Sequence, residues 1–198
     1  LIDILVKSEH INFIGLHFHI GSQITRVGEV FALECQRVND IVAYFERNGL
    51  KVNNINLGGG LGVDYDDPDE GAIPDFETWF RTISENITRR DDQAVHVEPG
   101  RSLVAQCATL ISRVLFVKSG ETKNFLIMDA GMNDLIRPAL YGAYHKIENL
   151  SASQRTFYPT HQAYDIVGPV CESRDEPGAR RILSLNGQGV HLAGRSTV

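Results

Sequence analysis

Three short stretches hold residues whose types and spacing could do chemistry. In "HFHIGSQ", His17 and His19 stand two apart, so in a strand they share one face. Such a pair reads as ordinary core or surface histidines, as two ligands of a metal site, or as a place where the flat ring of His19 stacks on an aromatic cofactor while the Ser22 hydroxyl meets an anion. A metal would need further ligands, and no H-E-x-x-H or acidic cluster at ligand spacing supplies them. In "NLGGGLG", Gly58, Gly59 and Gly60 directly follow an apolar run, and three residues without Cβ let backbone N–H groups crowd around a phosphate. Glycine-rich turns are common, however, and this spacing is not the dinucleotide fingerprint. In "HVEPGRS", Glu98 and Arg101 flank Pro99 and Gly100. They are either an exposed ion pair worth little, or a bidentate phosphate donor beside a carboxylate able to keep a pyridine nitrogen protonated.

Two later stretches add candidates. "DAGMNDLIRPALYGAYH" gathers Asp129, Asn133, Asp134, Arg137, Tyr141 and Tyr144 around an Arg-Pro turn, either a grip for a substrate carboxylate or an irregular polar loop. "GPVCES" sets the thiol of Cys171 beside Glu172; taken alone, the cysteine reads as a small buried apolar group.

The elements that must position these groups alternate. Residues 13–21, 52–60 and 94–101 read as strands that end in glycine or Pro-Gly. Between them, residues 28–48 carry Phe31, Cys35, Val38, Ile41, Val42 and Phe45 at helical spacing before Gly49, and residues 74–90 form a second amphipathic helix. Strands separated by such helices imply parallel βαβ units, as in a (β/α) barrel or doubly wound sheet with its site at the C-terminal edge. After Arg101 the pattern changes. "SLVAQCATLISRVLFVKSG" and "KNFLIMDAG" read as strands joined by a turn at Ser119-Gly120, so a boundary is expected near residues 102–110 with mainly antiparallel β beyond it.

Composition narrows the classes. The 198 residues carry a net charge of −6, which disfavours nucleic acid and anionic membrane surfaces as partners. No apolar run approaches the ~20 residues needed to span a bilayer. Three widely spaced cysteines suggest neither a disulfide framework nor a zinc site, which fits a reducing cytosol. Residue 1 opens on amphipathic sequence resembling the middle of a helix, so a piece of a longer chain is expected.

In this order, "GLHFHIGSQ", "NLGGGLG", "EPGRS", "DAGMNDLIRPALYGAYH" and "GPVCES" resemble the pyridoxal-phosphate-dependent ornithine, diaminopimelate and arginine decarboxylases, over about residues 1–173. "MNDLIRPALYGAYH" points to the diaminopimelate branch. The resemblance implies an alanine-racemase-like fold of class α/β plus β. Residues 1–104 would be the C-terminal portion of a cofactor-binding (β/α)8 barrel, 105–173 part of a C-terminal, mainly antiparallel β domain, and 174–198 an unassigned divergent tail. It implies pyridoxal 5'-phosphate as cofactor, with His19 on the ring, Ser22 and the Gly58–Gly59–Gly60 loop on the phosphate, Glu98 on the pyridine nitrogen, and Pro99, Gly100 and Arg101 completing the cofactor site. Arg101, Arg137, Tyr141 and Glu172 would contact the substrate, and Cys171 would be the proton donor.

The implied reaction is decarboxylation of meso-2,6-diaminopimelate to L-lysine and carbon dioxide, the last step of lysine biosynthesis. It would run in a cytoplasmic homodimer with shared active sites, an amino acid as substrate, and neither nucleic acid nor membrane as partner. The alternatives are a decarboxylase of another basic amino acid or of carboxynorspermidine, or a non-catalytic relative. Two departures stand out. The family's cofactor lysine lies in an early barrel strand ahead of this sequence, and Lys7, Lys51, Lys118, Lys123 and Lys146 sit in other contexts. From Arg174 onward the family pattern, including a later tyrosine, is not recognisable; a frameshift, aberrant splice or truncated gene model is the expected cause. Three barrel strands cannot close a barrel, so the chain alone is expected to be inactive.

Overall fold

Apolar residues recur at positions 27, 31, 35, 38, 42 and 45 and fold into one long helix whose buried stripe they form. In the computed structural model, which describes residues 1–68, 72–150, 161–170, 178–184 and 191–194, the chain divides into two units. The first comprises Leu1–Asp64 and Glu70–Leu103, the second Tyr65–Asp69 and Val104–Val198.

The first unit runs α1 (Ile2–Lys7), β1 (Gly15–His17), α2 (Val27–Arg47), β2 (Asn54–Asn56), α3 (Phe76–Asn86) and β3 (Ala94–His96), followed by the short α4 (Arg101–Val104) at its end. The three strands lie in the order β1-β2-β3, all parallel, with Leu16 opposite Ile55 and Ile55 opposite Val95. Backbone bonds carry the pairing past the strand ends, from Phe18 N to Asn56 O (2.8 Å), Leu57 N to His96 O (2.9 Å) and Glu98 N to Gly58 O (2.6 Å). One face of the sheet buries Ile55 and Leu57 against Phe31, Cys35, Val38 and Val42 of α2 and Trp79 and Ile83 of α3. The alternate residues Gly15, His17, Asn54, Asn56 and His96 line, with Ile14 and Leu16, an open hollow of about 410 Å³.

The expected helices are present, and α3 is shorter than its pattern. Asp75 caps its start by accepting from Thr78 N (2.9 Å). At the other end Asn39 of α2 accepts from Thr88 N (2.9 Å) and donates to Asn86 O (2.9 Å), which turns the chain out of the helix before residue 90. A second difference lies at 101–107, expected as strand. Pro99 O accepts from both Ser102 N (3.3 Å) and Ser102 Oγ (2.7 Å), so the turn opens α4 and then a single 3₁₀ turn, Ala105–Cys107.

One residue on the buried face of α2 breaks the apolar pattern. Glu34 is 4 % exposed, and among the described residues neither of its carboxyl oxygens has a hydrogen-bond partner. Burial pushes its carboxyl up from an ordinary 4.5 to about 7. A group whose folded pKa is raised contributes stability below its unfolded pKa and loses it as pH rises through the folded value. Unfolding free energy should therefore fall between about pH 4.5 and pH 7 by something on the order of 3 kcal/mol from this residue. Urea unfolding at pH 4.5 and pH 7.5 should show Glu34→Gln with a flatter dependence than the unaltered protein. An equal slope in both would assign the loss to other groups.

The second unit contains β4 (Leu110–Ser119), β5 (Asn124–Met128), α5 (Arg137–Tyr141), β6 (Ile147–Asn149), β7 (His161–Val167), β8 (Gly178–Ser184) and β9 (His191–Gly194). Six strands form one sheet in the order β6-β9-β4-β5-β7-β8. All pairs are antiparallel except β5 with β7. β4 and β5 form the hairpin expected at Ser119-Gly120, closed by Gly120 N on Lys123 O (2.9 Å). Leu126, Met128, Tyr164 and Ile166 make its core with Val114 and Ile147. The two last strands fall in the segment read as weakly patterned; β8 pairs with β7, the strand just before it, while β9 pairs with β4 and β6, both remote in sequence, so local pattern carries little of its signal. Among the described residues no helix is long and apolar enough to cross a membrane.

Candidate functional site

In the first unit the three strand ends bring His19, Ser22, Gly58, Gly59, Gly60, Glu98 and Arg101 together. Their closeness explains the glycines. A Cβ on Gly58, Gly59 or Gly60 would lie within 3.0 Å of Phe18 O, Glu98 O or Gly21 O respectively, all backbone atoms that cannot swing aside. Gly60 also has φ +99°, where a side chain is strained. The run therefore lets the end of β2 pass between the chains leaving β1 and β3.

Two of the three glycine N–H groups have protein acceptors. Gly58 N donates to Asn56 Oδ1 (2.8 Å) and Gly59 N to His19 Nδ1 (3.4 Å). The second bond requires a lone pair on Nδ1 and so puts the proton of a neutral His19 on Nε2. Among the described residues no acceptor takes Gly60 N.

The cationic corner is built from Arg101, whose guanidinium donates to Ser22 Oγ and to Gln23 Oε1 (3.3 Å). Gln23 has φ +62° and braces the loop beyond the glycines, donating through Nε2 to Val63 O and accepting from Val63 N (3.4 Å). Pro99 and Gly100 make the turn that places Arg101 at the start of α4, with Gly100 at φ +54°. The acidic corner is Glu98. Its Oε1 accepts from Asn56 Nδ2 (2.8 Å) and lies 3.5 Å from His17 Nε2. Its Oε2 has no partner among the described residues. The donor set of Ser22 hydroxyl, guanidinium and Gly60 N–H suits a phosphate. The free carboxylate oxygen suits a pyridinium N–H.

The second unit holds the other described candidates. Arg137 Cζ lies 5.6 Å from the Tyr65 ring centroid and 5.5 Å from that of Tyr141, so the guanidinium is held by two aromatic faces. Its buried Nε has no hydrogen-bond partner among the described residues. Among the described residues no carboxylate pairs with this cation, and its chemistry suits an anionic group. Pro138 near its N-terminus and Gly142 in the left-handed region at its end make α5 a true helical turn where the sequence suggested a bend. Asp129 serves the backbone instead: it accepts from Ser112 Oγ (2.7 Å) and Arg113 N (2.8 Å), bonds that hold its carboxyl below the ordinary range. Asp134 likewise accepts from Gly131 N (2.9 Å). Cys171 and Glu172 lie outside the described residues. Among the described residues no group of three or more His, Cys, Asp or Glu could hold a metal ion.

Asn56, Gln23 and Tyr65 were not singled out from sequence. Asn56 and Gln23 adjoin the motifs but read as ordinary polar turn residues. Tyr65 follows the glycine loop by five positions, yet packs with residues 137–145, including edge-on contact with His145 (5.4 Å), which no local pattern reveals.

Known proteins match this arrangement closely. The sequence pattern described as "Pyridoxal-dependent decarboxylase, C-terminal sheet domain" matches residues 6–189. The diaminopimelate decarboxylase of Bacteroides thetaiotaomicron is 47% identical over 196 residues, which is 99% of this chain and 49% of that protein. A probable chloroplastic diaminopimelate decarboxylase of Oryza sativa is 40% identical over 93% of this chain and 36% of its own length. The crystal structure of diaminopimelate decarboxylase from Helicobacter pylori complexed with L-lysine superposes with TM-score 0.76 at 31% identity, covering 99% of this chain and 48% of that one. The chain thus spans about half the length, or less, of the curated relatives it matches. The match reaches residue 189, so much of the segment from 174, expected to diverge from the family, aligns with the same proteins.

Proposed function

The chain belongs to the pyridoxal-dependent decarboxylase family, and from that premise we propose that it carries half of the active site of a cytoplasmic, homodimeric diaminopimelate decarboxylase, which converts meso-2,6-diaminopimelate to L-lysine and carbon dioxide. Residues 1–104 supply the C-terminal part of a (β/α)8 barrel and 105 onward its β domain. When bound, pyridoxal 5'-phosphate supplies an electron-poor ring that accepts the electron pair released as the substrate's C–C bond to carboxylate breaks.

The residues of this chain divide that work by charge. Ser22, Arg101 and Gly60 N–H hold the phosphate, and Arg101 reaches the substrate as well. Glu98 Oε2 accepts the ring N–H and keeps the nitrogen protonated. His19, its Nδ1 turned to Gly59, offers its ring face to the cofactor. Arg137, gripped by two tyrosine rings, binds a substrate carboxylate together with Tyr141 and Glu172. The Cys171 thiol, ordinarily of pKa ~8.5 and so protonated near neutral pH, gives its proton to the substrate carbon that loses carbon dioxide. In this reading Cys171 acts in the partner subunit's site. The exposed apolar residues Ile111, Leu115 and Phe116 on β4 support a surface that a partner covers.

The observation that carries the reading is Glu98, one oxygen tethered and the other free, on the same strand edge as the Arg101–Ser22 pair. The full-length gene product should bind pyridoxal 5'-phosphate with a visible absorbance band and release one carbon dioxide per L-lysine formed from meso-2,6-diaminopimelate. Cofactor binding without lysine formation would overturn the substrate, and absence of cofactor binding would overturn the reaction.

A further inference from the structure

We propose that Asn56 is a positioning residue that sets the orientation of the Glu98 carboxylate and locks it to the glycine loop. This rests on the reading of Glu98 as the partner of the cofactor's ring nitrogen. The Glu98 side chain is 54% exposed, so packing does not hold it in place. What holds it is a hydrogen bond of 2.8 Å from Asn56 Nδ2 to Oε1. The same amide uses its oxygen to accept from Gly58 N at 2.8 Å. Gly58 O in turn accepts from Glu98 N at 2.6 Å. The three bonds close a ring through Asn56, Gly58 and Glu98, tying backbone, amide and carboxylate together across two strands.

The chemistry of an amide suits this place. One side chain must donate to a carboxylate and accept from a backbone N–H, and a primary amide does both in one plane. An aspartate could still cap Gly58 N but would set a carboxylate oxygen against Glu98 Oε1. An alanine would do neither. His17 Nε2, at 3.5 Å from the same Oε1, is the second and longer support. With Oε1 engaged from two sides, Oε2 alone is left to accept a ring N–H, which fixes the direction from which that proton is held.

The two functions of Asn56 can be separated in the full-length gene product by using inorganic phosphate and ring-¹⁵N-labelled pyridoxal 5'-phosphate. Asn56→Ala should weaken cofactor binding about tenfold, the scale of one lost charge-assisted hydrogen bond. Asn56→Asp should keep inorganic phosphate affinity within about twofold while the ¹⁵N shift of the bound ring nitrogen changes in its pH profile. That spectroscopic change is one that a merely structural role would not produce, because the glycine cap survives. A ring-nitrogen profile identical to that of the unaltered protein in both variants would overturn the inference and leave the proposed function standing. Failure of the unaltered protein to bind the cofactor would overturn both.

Discussion

Gly59→Ala should destabilise the protein by about 3 kcal/mol or more, among the largest effects of any single methyl group in it. The added Cβ would fall on Glu98 O and within 2.9 Å of Glu98 C, both backbone atoms of the neighbouring strand end. No rotamer change relieves such an overlap; β2 and β3 must move apart. That separation breaks the bond between Glu98 N and Gly58 O and draws Glu98 away from Asn56. The control is Gly28→Ala on α2, where a Cβ meets nothing within 4 Å and the exchange should be neutral or stabilising by roughly 0.5–1 kcal/mol. Urea unfolding of the two variants, followed by circular dichroism, compares them directly. A Gly59→Ala midpoint indistinguishable from that of Gly28→Ala would show that the strand ends are more pliable than their packing implies.

Glu98→Gln should lower kcat for decarboxylation by about 10²–10³-fold in the full-length gene product while changing substrate KM little. The amide matches the carboxylate in size and can still accept from Asn56, so the local structure is preserved. What it loses is the negative charge that favours a protonated ring nitrogen, an interaction that grows as charge develops during bond breaking. Glu98→Asp keeps the charge but is one methylene shorter, and it should fall between the two. Steady-state kinetics with meso-2,6-diaminopimelate, alongside the visible spectrum of bound cofactor, tests the expectation. A kcat within threefold of the unaltered protein would remove Glu98 from the chemistry.

Much of the fold was legible because it rests on local chemistry. The helical spacing of Phe31, Cys35, Val38, Val42 and Phe45, and the stop at Gly49, place α2 within one residue of its observed ends. Short apolar runs closed by glycine locate β1, β2 and β3, and the helices between them require a parallel order. Several misses were decided by residues remote in sequence, whereas the helical turns at 101–107 follow from the local bonds of Pro99 O. Asn39 ends α3 early. The parallel pairing of β5 with β7 and the strand β9 depend on partners far along the chain. Glu34 sits in a helical core stripe that periodicity would fill with an apolar side chain.

The candidate site divides the same way. Residue types and their order were enough to nominate His19, Ser22, the three glycines, Glu98 and Arg101, because each falls where a strand stops and the backbone is free to turn. Sequence also supplied the family pattern that links them. Only tertiary structure decided which atoms face which: that Gly58 and Gly59 spend their N–H groups on Asn56 and His19, that their missing Cβ atoms make room for neighbouring strands, and that Tyr65 shares Arg137 with Tyr141. The physical reason is range. Propensity, periodicity and turn chemistry act over a few residues along the chain, whereas hydrogen-bond partners and close approaches are set by strands and loops tens of residues apart.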